Sequence, residues 1–155
     1  MITQELIDQV KFEEELLLTK SIFPYGSWRI GYGRNLEENP YFEGNRIPDQ
    51  ITKEEAEIIL VTDLNHAATV LAAAWHGYEL LQGARRDAVI QMCFQLGLDG
   101  FLGFKNMRKA LVMCNWQAAY NEALDSEWAK TDCPARAERV ARQFLTGKHY
   151  LTNNE

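Results

Sequence analysis

Residues Asp87 to Leu96 constrain this chain more than any other stretch, because they are apolar almost all the way round. Ala88, Val89, Ile90, Met92, Cys93, Phe94 and Leu96 leave hardly any polar face for water. A helix of that kind must be enclosed on every side, so the segment predicts the centre of a helical bundle. Gly97 and Gly100 mark its end. The flanking sequence supplies the elements to enclose it. Phe104 to Met113, Asn115 to Ser126 and Pro134 to Thr146 read as shorter helices, and Pro134 suits a first-turn position. Upstream, Thr52-Lys53-Glu54-Glu55 has the spacing of a capping box, with Glu55 placed to reach back to the cap. Ala56, Ile59, Leu60, Leu64, Ala67, Ala68 and Leu71 then recur with helical periodicity.

The N-terminal third is different in texture. Thr3 to Lys20 predicts a helix, with Ile2, Leu6, Val10 and Leu17 as its stripe and no Pro or Gly to interrupt it. Pro24, Tyr25 and Gly26 make a turn, and Ser27 to Gly33 alternates with aromatics, which predicts a small antiparallel hairpin within Ser21 to Asn35. Glu37 to Gln50, with Asn39-Pro40, Gly44 and Pro48, reads as a loop. The expected fold class is mainly α with a small β part (α+β). A hairpin lobe, residues 12–60, is joined by a long helix to a helical lobe of residues 1–11 plus 61–155. A cleft is expected between them.

Charge and cysteine usage narrow the partners. The chain has 155 residues and a net charge of −6, which disfavours nucleic acid, since phosphate binding needs clustered Lys and Arg. No apolar run reaches the roughly 18 residues of a membrane helix, and the N-terminus lacks the basic start and apolar stretch of a signal peptide. No membrane span is expected, and the protein is expected in the cytoplasm. Cys93, Cys114 and Cys133 are odd in number and widely spaced, so neither a zinc site nor a disulfide framework is predicted. His66, His76 and His149 share no ligand spacing. No metal and no cofactor are expected.

Glu14-Glu15-Leu16, followed after a turn by Trp28-Arg29-Ile30-Gly31-Tyr32-Gly33-Arg34-Asn35-Leu36, resembles the phage-type lysozymes, the family of the T-even phage lysozyme. That family's pattern is Glu-Gly-Leu, then an Asp or Cys, then Thr-Ile-Gly-Tyr-Gly. The resemblance continues through Ile51 to Glu57 with Asp63, through Arg85 to Gly97, and through Gly103-Phe104, Trp116, Ser126-Glu127-Trp128 and Ala135 to Val140. It covers residues from about 5 to 147 and implies a lysozyme-like fold and a muramidase. Such an enzyme cuts the bond between N-acetylmuramic acid and N-acetylglucosamine in peptidoglycan.

The resemblance implies that Glu14 is the catalytic acid. Glycoside hydrolysis needs such an acid beside the leaving oxygen, and a carboxylate or positioned water for the oxocarbenium-like centre. Aligned on Ile30-Gly31, the Asp or Cys position falls on Phe23 and the Thr position on Arg29. Phe cannot stabilise a cation by charge. Arg brings positive charge to a positive transition state. A Glu14–Arg29 ion pair would further favour the carboxylate over the acid. The catalytic set is thus reduced to one acid, and two readings stay open. One is a weak muramidase; the other is a degenerate fold that binds peptidoglycan or a protein partner. Gln95, Trp28 and Phe104 are the candidate substrate-binding residues. Arg34 and Asp63 are expected to pair and to tie the hairpin to the long helix, whereas Trp128 and Arg136 are expected to hold the bundle together. The expected partners are peptidoglycan and a separate membrane-permeabilising protein, for a monomer made in a bacterial host's cytoplasm and acting on the cell wall after release.

Overall fold

The computed structural model describes residues 2–22 and 26–151. Helix α1, Gln4–Glu13, is capped by Thr3, whose hydroxyl accepts from the Leu6 amide at 3.0 Å. It stops earlier than its periodicity suggests. Glu14 turns to φ −102°, ψ 138°, and the chain continues as strand β1, Leu17–Ile22. Helix propensity there is weak against a strand ladder with a partner in reach. β1 pairs antiparallel with β2, Trp28–Gly31, and β2 with β3, Arg34–Asn35, in a three-stranded sheet. The hairpin is therefore real but starts earlier and carries a third strand. The expected loop also holds a small hairpin, β4, Tyr41–Phe42, against β5, Asn45–Arg46.

Helix α2, Lys53–Ala74, opens with the full capping box: the Glu55 amide donates to the Thr52 hydroxyl, and the Thr52 amide to the Glu55 carboxylate. Its buried residues are the same seven read from its periodicity. By length and composition α2 is apolar enough to cross a membrane, with a mean hydropathy of 1.3. That departs from the expectation of no such segment, which came from counting uninterrupted apolar runs. In this fold the apolar stripe packs instead on β2, α3 and α1.

Helix α3, Gly83–Leu102, is the expected central helix, and every residue from Asp87 to Cys93 is buried. Gly97 interrupts it at φ 78°, ψ 165°, a conformation that glycine adopts without a Cβ penalty. The chain then re-enters helix up to Leu102, so Gly97 is a kink rather than an end. Helices α4, Lys105–Val112, and α5, Trp116–Leu124, and a π-helical turn, Trp128–Asp132, lead to α6, Pro134–Thr146, with Pro134 in its first turn. α6 packs on α3 and α5. Leu6, Ile30, Leu60, Ile90, Met92, Phe101 and Phe144, all essentially without solvent exposure, belong to one continuous core that joins the sheet to the bundle.

Candidate active site

The end of α1 places three consecutive glutamates in three environments. A run of this kind would ordinarily be a solvated face. Here the Glu13 side chain is only 5% exposed and is gripped by Arg139, whose Nε and Nη2 donate to its two oxygens at 2.7 and 2.9 Å. The Tyr150 hydroxyl donates to the same carboxylate at 3.2 Å. Burial and this neighbouring negative charge push the Tyr150 phenol up to about 12. Glu15 is exposed. Glu14, at the helix end, lies between these extremes and faces β2–β3.

Two contacts fix the Glu14 carboxylate. Oε1 accepts from Arg136 Nη1 at 2.9 Å. Oε2 lies 3.1 Å from where a Cβ on Gly33 would sit. Gly33, at φ +91°, is the residue that lets the β2–β3 turn close over the carboxylate. One oxygen is thus held by the bundle, while the other looks toward the turn.

Gly33 also lines a cleft of about 760 Å³. Arg29, Arg34, Asn35 and Glu38 form one wall. Asp63, His66 and Val70 on α2, with Phe94 to Leu98 around the Gly97 kink, form the other. Strand β2 has turned the Arg29 side chain to this cleft, where Nη1 donates to the Gly33 carbonyl at 3.4 Å. Glu14 forms an ion pair with Arg136 on α6. Phe23 lies outside the described residues.

Arg136, expected to hold the bundle together, is buried within it on α6 and also reaches the Glu14 carboxylate, a contact that the sequence reading did not include. It is 8% exposed. Besides Glu14, its Nε donates to Gln91 Oε1 at 3.2 Å, and it stands 4.0 Å from Glu13 Oε2. The signal was present in the sequence. Arg136 stands four residues before Val140 and eight before Phe144, so it shares their apolar face of α6. An arginine on such a face needs a buried acceptor, and Glu13 to Glu15 is the longest acidic run upstream.

Arg34 and Asp63 form a bidentate pair, with Nε to Oδ2 at 2.8 Å and Nη2 to Oδ1 at 2.6 Å. Arg34 Nη1 also donates to the carbonyls of Asn39 and Tyr41, so one guanidinium ties α2 to β3 and to the following loop. Glu38 is the other carboxylate on the cleft wall, and Glu14 lies against Gly33, which lines it.

The three candidate substrate residues do not share one site. Gln95 lines the cleft, but its amide is engaged: Oε1 accepts from Trp128 Nε1 and Nε2 donates to Cys133 Sγ, both at 3.1 Å. Phe104 belongs to a second hollow of about 630 Å³, where it meets Trp128 edge to face at 6.0 Å. Trp28 lines a third, on the opposite side of the sheet from the cleft-facing Arg29. Their separation follows from strand alternation and from the kink at Gly97. Neither is visible in a list of motifs. Among the described residues, no group of three or more His, Cys, Asp or Glu is placed to hold a metal ion.

Comparisons with known proteins agree with this architecture. Residues 12–142 match the family model for phage lysozyme. The chain is 30% identical over 106 residues to the pre-baseplate central spike protein Gp5 of Enterobacteria phage T4, covering 64% of this chain and 18% of that protein. It is 31% identical over 100 residues to the probable T4-type lysozyme 1 of Dictyostelium discoideum, covering 63% of this chain and 58% of that one. In both cases the match spans less than two thirds of the relative's length. The family match runs from the end of α1 through nearly all of α6, and so takes in Glu14, Gly33, the cleft walls and Arg136: this chain belongs to the phage lysozyme family.

Proposed function

We propose that the protein is a peptidoglycan muramidase in which Glu14 donates a proton to the glycosidic oxygen between N-acetylmuramic acid and N-acetylglucosamine. The observation that carries this reading is the placement of Glu14. Arg136 fixes one carboxylate oxygen, and the other is left beside Gly33 on the cleft wall. A general acid must sit within reach of the leaving oxygen in a fixed direction, and this arrangement supplies the direction. The ion pair with Arg136 opposes proton donation as a pair with Arg29 would, and adds to the expectation of slow hydrolysis. A cleft of this volume is of the size that takes a short run of sugar rings, since ligand clefts commonly span roughly 300–1,000 Å³.

The second half of the reaction is the weaker half. Arg29 stands on the cleft wall where the resemblance implies a threonine. A guanidinium there opposes the oxocarbenium-like centre and does not orient water as a hydroxyl does. General acid catalysis alone contributes about 10²- to 10⁴-fold, so slow hydrolysis is the expected outcome. The same observation favours a second reading, in which the cleft binds peptidoglycan without cutting it. In either case the protein acts on a bacterial cell wall after release from the cytoplasm, and a separate protein opens the membrane for it.

Release of new reducing ends from purified sacculi tests the proposal. Glu14→Gln should abolish the release while leaving the protein folded. Undiminished release by Glu14→Gln would end the catalytic role of Glu14. The Phe23→Asp, Arg29→Thr double variant should gain activity by an order of magnitude or more. Binding with no reducing ends from the natural protein would select the second reading.

A further inference from the structure

Strand β2 carries two surfaces. Arg29 faces the cleft, and its neighbour Trp28 faces the other way, into a separate hollow of about 370 Å³. Its apolar lining comes from Leu36, Pro40 and Ile47 beside the indole, which is 38% exposed. Its rim carries Lys20, Arg46, Glu37 and Asp49. We propose that this hollow is an accessory glycan site that holds an N-acetylhexosamine unit of a cell-wall strand outside the cleft; the inference rests on the peptidoglycan reading above.

The walls are built before any ligand arrives. The Lys20 amide donates to the Asp49 carbonyl at 2.8 Å, and Lys20 Nζ lies 3.2 Å from the Asp49 carboxylate and 4.9 Å from the centre of the Trp28 indole ring. The Leu36 amide donates to the Trp28 carbonyl at 2.8 Å, and the Ile47 amide to the Pro40 carbonyl at 2.9 Å. These bonds fix β1, β2 and the 36–49 segment around the indole. Asp49 is paired with Lys20, and Lys20 also stands over one face of the indole, so a sugar ring meets the part of the indole that Lys20 leaves exposed. The side chains of Glu37 and Arg46 are engaged by no other described residue.

That chemistry selects a sugar. A pyranose presents an apolar C–H face and an edge of hydroxyl and acetamido groups. An exposed indole takes the face. A free carboxylate accepts from hydroxyls, and a free guanidinium donates to the acetamido carbonyl. Two cations and two anions leave the rim neutral, which does not attract a polyanion. The volume lies near the lower end of ligand pockets, which start at roughly 300 Å³, so one or two rings fit rather than a folded partner. A strand seated here would be captured by the outer face of the sheet whose inner face forms the cleft wall.

The test is an NMR titration of the full chain with the N-acetylglucosamine tetramer, following the Trp28 indole N–H, assigned by its loss in Trp28→Phe. A shift at this resonance that disappears in Glu37→Ala/Arg46→Ala is expected. Both that surface double variant and Trp28→Phe should weaken binding to sacculi, by about fivefold for loss of an aromatic and polar contact of this kind. Shifts confined to cleft amides around Gln95, with Trp28 unmoved, would overturn the accessory site and leave the muramidase reading intact. A Trp28 shift with a synthetic stem peptide but not with the tetramer would also overturn it. No shift at either place, together with no binding to sacculi, would remove both readings.

Discussion

At the scale of single residues, the site depends on an absent side chain as much as on those present. Gly33 holds φ +91° beneath the Glu14 carboxylate. Gly33→Ala forces a left-handed backbone on alanine, at a cost of about 1–2 kcal/mol, and sets a methyl against Oε2. The expected result is a lower thermal midpoint together with a larger loss of sacculus hydrolysis than the stability change explains. Asp63 makes a second such point. Arg34 is 4% exposed in its side chain and Asp63 is 16% exposed, so Asp63→Ala leaves a buried guanidinium with only two carbonyls. A loss of about 3 kcal/mol is expected by urea denaturation. The cysteines divide by environment. Burial pushes the Cys93 thiol up to about 11 from 9.0, whereas Cys114 is exposed. Iodoacetamide at pH 8 should label Cys114 in the folded protein and reach Cys93 only on unfolding.

At the scale of elements, termini and kinks matter more than helix interiors. Thr52→Ala removes one half of the capping box at the start of α2 and should cost about 1 kcal/mol, measured as a shift in the denaturation midpoint with an unchanged slope. The capping box was legible because both partners lie within four consecutive residues. The end of α1 was not. Nothing between Gln4 and Lys20 breaks a helix, and the chain leaves helix at Glu14 because β1 finds β2. The consequence reaches the site. Were the helix to run on to Lys20, Glu14 would be one of many side chains on a cylinder, not the last residue before a turn. The Gly97 kink likewise bends α3 so that Phe94 to Leu98 form a cleft wall.

At the scale of the whole molecule, α6 holds the site from behind. Arg136 and Arg139, on its inner face, receive Glu14 and Glu13 across more than 120 residues of chain. The molecule also carries an alkaline limit. Cys93 and Tyr150 both have folded values raised above their ordinary ones, to about 11 and about 12. The folded state therefore keeps protons that the unfolded state has lost, and stability falls as pH rises from about 9 to about 12. The part due to Cys93 is on the order of 3 kcal/mol. Denaturation midpoints across that range should decline, and Cys93→Ala should flatten the first part of the decline.

By itself the sequence determined the fold class, the buried stripe of α2, the enclosed α3 and the place of Glu14 in a family pattern. These are local or periodic signals, and burial periodicity is written one residue at a time. Only the tertiary structure decided that Arg136 grips Glu14, that Glu13 is buried rather than solvated, and that Trp28, Phe104 and Gln95 serve three separate hollows. Each of these depends on which faces meet after the chain has folded. A strand sends neighbouring side chains to opposite sides, and a guanidinium finds its carboxylate through space, so neither outcome is set by spacing along the chain.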